Sequence, residues 1–568
     1  MRNSVLQRIG ITSIACLLSI VFSGCTLGNQ RSDVVGYGLD GPVIDYNTST
    51  VAGYTGGSLA AFPRVNTGFS YVDGMGNRLA DTEFGTVQVK LGKPTRVDMS
   101  INEHAQFSDG QPITCDDILL SWLARRPQKN NLFHAMSMPG LSEISTITCD
   151  PHSKHAKIVF RSEQLPRDWL ALFGAGSIMP WHIVSEKTGV HDIRKLLSDK
   201  NSKELHRVAD FWNHGWRLDH SPLDLDRFVS SGPYKIANVG DDGTITLERN
   251  DKWWGDPARV SKIIIYSTRA NLKQQIRDGH VRVADISSED TNPPTPEEST
   301  SAVISSENIM QLRLSTHGVF SNVQRRRAFL RCIPLEKITA YIARNNEVTT
   351  THSEEVHSHI PAAIVPLDNE PVAQQISSWT TLDRRPSSTR PPRRQRVNVV
   401  YPAGSSHAQH IIKLVSEDCK SSGFSVVGVP TEVYTGEILS SSHTQAALFG
   451  TAGAVGPGGS FDSASGLVGL SPYRLPDFTS GDARGLFATV RRLNNLQGET
   501  MPIQQDGSDR YVEFAHSVAH FQQYVYDMGY AIPLYVQLRW QFVRNDLQGV
   551  TQGRSAASVG WNMDRWGI

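Results

Sequence analysis

The side chains with the most definite chemistry in this sequence are cysteines. The chain of 568 residues contains six, and four of them lie in the body of the chain, at Cys115, Cys149, Cys332 and Cys419. In an oxidising compartment four cysteines can pair in three ways. Proximity along the chain favours the disulfides Cys115–Cys149 and Cys332–Cys419. The alternative is a set of buried free thiols, since unpaired cysteine behaves as a small apolar residue.

Motifs that mark common enzyme sites are missing from the sequence. It contains no G-x-S-x-G, no H-E-x-x-H and no G-x-x-x-x-G-K-(S/T). One cluster, His352, His357 and His359 with Glu354 and Glu355, has residue types that could hold nickel or zinc. Its polar neighbourhood favours a solvated loop instead. We therefore expect a protein that is not an enzyme and that has no catalytic residue, no cofactor and no resident metal.

The first 25 residues are typical of an export signal. Two arginines precede an uncharged apolar run at residues 9–22, which is short for a membrane span and fits a secretory signal. Ser23 and Gly24 then precede Cys25, a pattern that resembles the lipobox of bacterial lipoproteins, whose cysteine carries the lipid. The alternative is plain secretory cleavage. We expect a signal peptide at 1–24, a lipid on Cys25, and a flexible tether at 25–35.

Composition limits the class of partner and the architecture. Lysine plus arginine and aspartate plus glutamate both number 56, so nothing favours nucleic acid as a partner. No second apolar stretch of about 18 residues follows the first, so we expect no membrane span in the mature chain. A chain of this length exceeds one hydrophobic core and predicts two or three lobes.

Local patterns indicate alternating strands and helices. Thr114 with Asp117 three residues later is close to a capping box and predicts a helix start after the turn at 107–110. Residues 397–401 form an apolar run, Ile411 and Val415 share a helical face, and 425–427 is a second apolar run. This strand, helix, strand unit predicts an α/β fold.

Five segments of the chain match the motifs of one family, in that family's order. They are F-S-D-G-Q-P-I-T-C-D-D at 107–117, the stretch from S-G-P-Y-K to W-W-G-D-P at 231–257, the stretch ending in V-A-D at 263–285, the helix at 322–338, and A-I-P-L-Y at 531–535. Together they resemble the peptide/nickel class of ABC-transporter solute-binding proteins, called family 5. The resemblance covers about residues 75–545.

The resemblance implies an α/β fold of the large periplasmic-binding-protein type, with two lobes, an extra subdomain and a ligand cleft lined by the hinge. We expect a first lobe at 36–292 with an inserted subdomain at about 65–205, a second lobe at 293–530, and a return to the first lobe at 531–568. It implies a monomeric receptor, anchored by its lipid to the outer face of the cell membrane, that delivers a small molecule or peptide to an ABC permease.

The resemblance also indicates where a ligand would bind. In oligopeptide-binding members a carboxylate of the second lobe holds the peptide amine, but the matching stretch here, Ala446 to Thr451, contains no acid. We expect Phe449, Gly450 and Thr451 to line the cleft and to bind through main-chain hydrogen bonds, with Tyr54 as a further candidate contact. A peptide ligand is favoured. The alternatives are a nickel or metal-chelate binder, or a secreted hydrolase or scaffold with the same fold.

The lipid assignment predicts the effect of one substitution. Cys25→Ser removes the thiol that carries the lipid, so the protein should move from the membrane fraction to the soluble extracytoplasmic fraction. Immunoblotting of fractionated cells measures this. A Ser23→Thr variant, which keeps the cysteine, is the matched control. A Cys25→Ser protein that stays in the membrane fraction would show that the anchor lies elsewhere.

Overall fold

The computed structural model describes residues 33–287, 296–345, 394–451 and 527–568, apart from short gaps at 42, 127–131, 137–138, 162, 164, 167–168, 200, 219–222, 268–269, 404, 432–437, 440 and 556. The signal at 1–24, Cys25, and the histidine cluster at 352–359 lie outside these residues. Within the described ranges, no helix combines the length and the apolarity needed to cross a membrane.

The strands of the described chain form three sheets. They are β1 (Val34–Leu39), β2 (Ser70–Val72), β3 (Arg78–Ala80), β4 (Gly85–Lys90), β5 (Arg96–Ile101), β6 (Ile144–Thr148), β7 (His155–Phe160), β8 (Tyr234–Val239), β9 (Ile245–Arg249), β10 (Lys262–Tyr266), β11 (Val283–Ser287), β12 (Ser299–Leu314), β13 (Gln395–Pro402), β14 (Phe424–Thr431), β15 (Ala446–Thr451) and β16 (Ala531–Arg544). The largest sheet has the order β14-β13-β15-β12-β16-β11-β1-β10-β9-β8, and the smaller ones are β4-β5-β7-β6 and β2-β3.

The helices pack on these sheets. They are α1 (Gly56–Ala61), α2 (Cys115–Arg125), α3 (Trp181–Thr188), α4 (Ile193–Ser198), α5 (Lys203–His214), α6 (Leu272–Arg277), α7 (Val323–Arg331), α8 (Leu335–Asn345) and α9 (Ser406–Cys419). Short 3-10 helices lie at Pro139–Glu143, Trp169–Ala171, Leu225–Arg227, Gly318–Phe320 and Ser558–Arg565.

The start of α2 shows how local sequence sets an element. The Thr114 side chain accepts a hydrogen bond from the backbone of Asp116 at 3.3 Å, and the Asp117 carboxylate accepts from the backbone of Thr114 at 2.7 Å. This is the capping box that the sequence predicts, with aspartate in the place of glutamate. The second carboxylate oxygen of Asp117 accepts from the backbone of Trp181 at 2.7 Å, so one side chain fixes the starts of both α2 and α3.

Two large apolar cores and two smaller apolar clusters lie against the sheets of the described chain. The first core lies under β1 and β8–β10 and continues through the four-stranded sheet; its largest buried side chains include Tyr37, Phe69, Phe84, Trp212, Trp216 and Trp566. The second core lies between β12–β16 and helices α7–α9, and includes Phe320, Phe329, Ile338, Ile411, Phe424 and Leu534. Full burial of each such side chain contributes about 1.5–3 kcal/mol, so each core can stabilise its own part of the chain.

Strands β12 and β16 connect the two cores. They pair antiparallel from Ser299 opposite Arg544 to Arg313 opposite Ala531. Met310 and Tyr535 belong to the second core. Toward the other end, Trp540 and Phe542 of β16 pack with α6 on the first side of the sheet. We call β12 and β16 together the ribbon.

Strand β1 begins beside β10, and its first contacts are made by backbone groups. The carbonyl oxygen of Asp33 accepts a hydrogen bond from Ser261 Oγ at 2.8 Å and from the backbone N–H of Lys262 at 3.3 Å. Parallel pairing then runs from Val34 opposite Lys262 to Gly38 opposite Tyr266. The amino end of β1 is therefore fixed beside the amino end of β10.

Two disulfides tie helices to their surroundings. Cys115, at the start of α2, is bonded to Cys149 just after β6, with 6.4 Å between the Cα atoms. Cys332, at the end of α7, is bonded to Cys419, the last residue of α9, with 5.0 Å between the Cα atoms. Both separations are ordinary for disulfides. The structure thus contains the two pairs that proximity along the chain favours.

Removing either disulfide should lower the free energy of unfolding. The closed loops have sequence separations of 34 and 87 residues, so each bond restricts the unfolded chain. The chain-entropy model gives a loss of about 4 kcal/mol for Cys115→Ala with Cys149→Ala, and about 1 kcal/mol more for Cys332→Ala with Cys419→Ala. Urea unfolding followed by tryptophan fluorescence reports the first core, and hydrogen exchange in α9 reports the second. Free thiols at these four positions in the denatured parent protein would contradict the assignment.

Candidate functional site

The carboxyl ends of strands from both cores point at the same part of the ribbon. β1, β10 and β11 run parallel on the first side of the sheet, and β13, β14 and β15 run parallel on the second. β11 ends at Ser287, opposite Arg539, which in turn pairs with Ile304 of β12. β15 ends at Thr451, opposite Ile309 of β12. The two sets of strands therefore end on either side of residues 304–309.

Convergence of strand ends makes this region a candidate ligand site on physical grounds. In open α/β sheets, ligands bind outside the carboxyl ends of parallel strands, where loops leave backbone groups and side chains accessible. Here two such edges face one another across a short stretch of the ribbon. We call this region the crossover site: the carboxyl ends of β1, β11 and β15 together with residues 304–309.

The ribbon is irregular within the crossover site. Ser305 pairs with Leu538, but the next pair is Ile309 with Val536, so β12 contains extra residues between them. The Ser306 hydroxyl donates to the carbonyl oxygen of Gln537 at 2.7 Å, which holds the bulge against β16. A bulge bends a strand and increases its twist. The bulge therefore bends β12 in the part of the ribbon that lies between the cores.

An ion-pair network occupies the first side of the crossover site. Arg539 of β16 donates from Nε to Asp285 Oδ1 at 2.7 Å and from Nη2 to the Asp285 carbonyl oxygen, also at 2.7 Å. Its Nη2 lies 3.1 Å from Oδ1 of Asp40, which directly follows β1. The Asp285 side chain is 2% exposed, that of Arg539 13%, and that of Asp40 24%. The network therefore extends from the buried Asp285 to the more exposed Asp40.

The second oxygen of Asp285 joins the end of the chain to the site. Gln541 Nε2 lies 2.8 Å from Asp285 Oδ2 and also donates to the carbonyl oxygen of Gly553 at 2.6 Å. Ser558, at the start of the last 3-10 helix, makes a short hydrogen bond to the same oxygen. Tyr37 donates to the Ser558 hydroxyl at 3.4 Å. The Asp285 carboxylate of β11 thus holds β16 and the final turns of the chain together.

Burial and neighbouring charges shift the pKa values of Asp285 and Arg539 in opposite directions. Burial raises the pKa of the Asp285 carboxyl, while the Arg539 guanidinium and the Ser558 hydroxyl oppose the increase. Burial lowers the pKa of Arg539, but the charges of Asp285 and Asp40 outweigh it, so its pKa is raised above the ordinary value. Since arginine, glutamine and serine can all donate to Asp285, its neighbours are matched to the ionised form.

On the second side, the site is formed by the end of β15. Phe449, Gly450 and Thr451 pair with Gln311, Met310 and Ile309 of β12. On its other edge β15 pairs with β13 only at its start, with Val400 opposite Ala447 as the last pair in the described ladder. The three predicted residues thus lie where β15 extends beyond its β13 pairing.

Tyr54 lies in a different part of the molecule, in the polar loop between β1 and α1. Its backbone N–H donates to the Thr50 carbonyl oxygen at 2.9 Å, and its side chain is half-buried. The neighbouring Thr55 caps α1 by accepting a hydrogen bond from Ser58. Tyr54 therefore belongs to the side of the first core, and Phe449–Thr451 belong to the side of the second.

Sequence reasoning did not single out the ion-pair network. Asp285 ends the V-A-D segment that carried part of the family resemblance, but no role was attached to it. Arg539 is the one charged residue in the run L-Y-V-Q-L-R-W-Q-F of β16, and a charge in such a run indicates a partner. Which partner it finds depends on the sheet order, because Asp40 and Arg539 are near opposite ends of the chain.

Comparison with known proteins agrees with this architecture. The family described as "Bacterial extracellular solute-binding proteins, family 5 Middle" matches residues 93–427. An uncharacterized lipoprotein of Mycobacterium tuberculosis is 28% identical over 572 residues, covering 100% of this chain and 99% of the relative. These matches span the described strands of both cores.

Solved structures share the fold. The oligopeptide binding protein from Thermus thermophilus, complexed with a pentapeptide, has a TM-score of 0.66 at 15% identity, covering 94% of this chain and 96% of the other. NikZ from Campylobacter jejuni, in complex with Ni(L-His), has a TM-score of 0.60 at 13% identity, covering 94% and 100%. The predicted α/β fold of the large binding-protein type is therefore confirmed.

Breaking the Arg539–Asp285 pair should destabilise the protein strongly. Arg539→Met leaves the buried Asp285 carboxylate without its guanidinium, which costs about 3–5 kcal/mol, and Asp285→Asn leaves Arg539 with only the more exposed Asp40 as its ion-pair partner and should also destabilise. The double variant should lose less than the sum of the single losses, because the buried Arg539–Asp285 pair is then removed as a whole. Urea unfolding measures all three. The control is Lys337→Met, which breaks an ion pair with Asp418 whose lysine is 59% exposed and should cost less than about 1 kcal/mol. Single variants as stable as this control would contradict the argument.

Proposed function

The chain belongs to the bacterial extracellular solute-binding proteins of family 5, and from this premise we propose that it captures peptides for an ABC importer. The observation that carries the proposal is the crossover site, where strand ends from both cores face one another beside a bulged ribbon. Two bodies joined in this way can close over a solute. The closed form is then the species that docks on a permease in the membrane.

Closure follows from population shift. Open and closed arrangements of two bodies on a hinge differ by a few kcal/mol, and a ligand that contacts both bodies stabilises the closed one. The bulge of β12 at 305–309 and its irregular pairing with β16 supply a short segment that can absorb the change in backbone angles. We propose that the protein acts as a monomer, since one chain contains both walls of the site.

The geometry of β15 supports a peptide as the solute. Within the part of the chain that the structure describes, Phe449–Thr451 extend beyond the pairing with β13, so their backbone groups lie at a strand edge there. A peptide in extended form can hydrogen-bond to such an edge through its own main chain, which gives affinity with little dependence on side chains. The proposed ligands are therefore short peptides of broad sequence.

The proposed location is the outer face of the cell membrane. Support comes from the residue pattern before Cys25 and from full-length relatives named lipoproteins in Mycobacterium species. Anchoring would keep the receptor close to its permease, which raises the effective concentration of the closed form at the transporter.

Peptide binding can be tested with a pool of random tripeptides to octapeptides. At a peptide concentration 100 times the Kd, binding should stabilise the folded state by about 2.7 kcal/mol, which calorimetry detects as a higher Tm. Mass spectrometry of the pool after incubation should show intact peptides. Cleaved peptides would favour a hydrolase, and a rise in Tm with nickel–histidine or sugars but not with peptides would refute the peptide proposal.

Main-chain recognition has its own control. Pentapeptides methylated on alternate backbone nitrogens keep their side chains but lose donors along one edge. If the strand edge of β15 binds the ligand, one of the two methylation registers should lose at least tenfold in affinity and the other much less. Equal affinity for both registers and for the unmethylated peptide would exclude strand pairing.

A further inference from the structure

The two disulfides of the described chain join cysteines that lie at opposite ends of helices. Cys115 is the first residue of α2, whereas Cys419 is the last residue of α9 and Cys332 caps the end of α7. A helix carries partial positive charge at its amino end and partial negative charge at its carboxyl end. The helix of Cys115 therefore favours a negatively charged sulfur at that position, and the helices of Cys332 and Cys419 disfavour one.

The two disulfides are equally accessible to an attacking thiol. In each bond one sulfur belongs to a fully buried residue, since Cys115 and Cys419 are both 0% exposed. Their partners, Cys149 and Cys332, are both half-buried. A thiolate from solution therefore reaches the sulfur of Cys149 or of Cys332, and the bond that it breaks leaves the negative charge on Cys115 or on Cys419.

An acid lies beside the buried sulfur of each bond, and each acid has its own cation. Asp116 Oδ1 lies 2.8 Å from Arg194 Nη2, and Asp418 Oδ1 lies 2.6 Å from Lys337 Nζ. A second acid of α2, Asp117, has both carboxylate oxygens occupied by backbone hydrogen bonds of 2.7 Å. The contrast between the helix ends therefore remains after the neighbouring acids are taken into account.

The accessible sulfurs also differ in their nearest polar group. Arg194 Nη2 lies 3.6 Å from Cys149 Sγ, and the Arg194 side chain is 30% exposed. The sulfur of Cys332 instead lies 2.9 Å from the carbonyl oxygen of Phe329. A cation attracts a thiolate and stabilises the negative charge that spreads over the sulfurs during exchange, whereas a carbonyl oxygen repels that charge.

We propose that Cys115–Cys149 is a thiol-exchange site for a dithiol, and that Cys332–Cys419 is a structural bond. One thiolate of the dithiol attacks Cys149 Sγ, a new S–S bond forms there, and the electron pair of the broken bond leaves on Cys115 Sγ. The second thiolate then attacks the dithiol sulfur bound to Cys149, and Cys149 leaves as a thiolate. The protein disulfide gains two electrons, the dithiol becomes a disulfide, and its two protons pass to the two cysteines.

The exchange site is built into the first core and not into the crossover site. Its bond ties the start of α2 to the residue after β6, and the hydrogen bonds of the capping box at Thr114 and Asp117 involve neither sulfur. The bond can therefore open while the cap of the helix stays in place. Because the exchange does not depend on which solute binds, its test is independent of the peptide proposal.

The test compares the two bonds within one folded protein. The parent is incubated with dithiothreitol in buffer without denaturant, samples are quenched with N-ethylmaleimide, and peptide mass spectrometry gives the reduction rate of each bond. Cys115–Cys149 should be reduced about tenfold faster than Cys332–Cys419, or faster still, because the leaving sulfur and the attacked sulfur both have favourable surroundings. Urea at concentrations below the unfolding transition should leave this rate unchanged, since the attack needs no local opening.

Variants of the two cations connect the rates to the geometry. Arg194→Gln should slow reduction of Cys115–Cys149 about tenfold, and Arg194→Lys should keep part of the parent rate. Lys337→Gln, which breaks the ion pair beside the other bond, should leave the rate of Cys115–Cys149 unchanged. Equal rates for the two bonds, faster reduction of Cys332–Cys419, acceleration by dilute urea, or a folded Arg194→Gln protein reduced as fast as the parent would overturn the proposal. The comparison of the two bonds in the parent decides the matter even where Arg194→Gln fails to fold.

Discussion

The pairing of β12 with β16 is the constraint on which the rest of the structure depends. β16 reaches both cores, with Leu534 in the second core and Val543 against the first, and its antiparallel ladder with β12 makes one sheet out of strands that would otherwise form two. The ladder also sets the register of β11 on one side and of β15 on the other. The strand ends converge because the ladder aligns them.

The Arg539–Asp285 pair fixes the ribbon to the strands of the first side of the sheet. It places no such restraint between the ribbon and the second core. A buried ion pair with good geometry is costly to break, and here it joins β16 to β11 next to the bulge. On the second side, the side chains of Ile532, Leu534 and Tyr535 pack in the apolar second core. Such packing changes by small slides more readily than a directed ion pair does. We therefore expect the ribbon to change its shape more readily on the side of the second core.

Sequence alone was enough for the parts of the structure that local rules determine. The capping box at Thr114 follows from residue types three positions apart, and the unit of β13, α9 and β14 follows from apolar periodicity. The family blocks gave the fold because their order constrains topology. In the same way, proximity along the chain favoured the two disulfide pairs that the structure contains.

The network of Asp40, Asp285 and Arg539 could not be derived from the sequence in this way. Each residue is an ordinary acid or base at a strand end or within a strand, and their meeting depends on the order β16-β11-β1 in the sheet. Sheet order is a long-range property that local periodicity does not carry. For the same reason, the sequence could assign Phe449–Thr451 to a strand end but not identify the residues of β12 with which they pair.

The fixed amino end of β1 bears on how the molecule would be oriented at a membrane. Asp33 is held beside Lys262 at the amino end of β1. Asp40 lies at the carboxyl end of the same strand, about 20 Å away along six residues. A chain from Cys25 to Asp33 spans at most roughly 28 Å. With a lipid on Cys25, the end of β1 that carries Asp33 would stay within roughly 28 Å of the bilayer surface, whereas Asp40 lies at the opposite end of the strand.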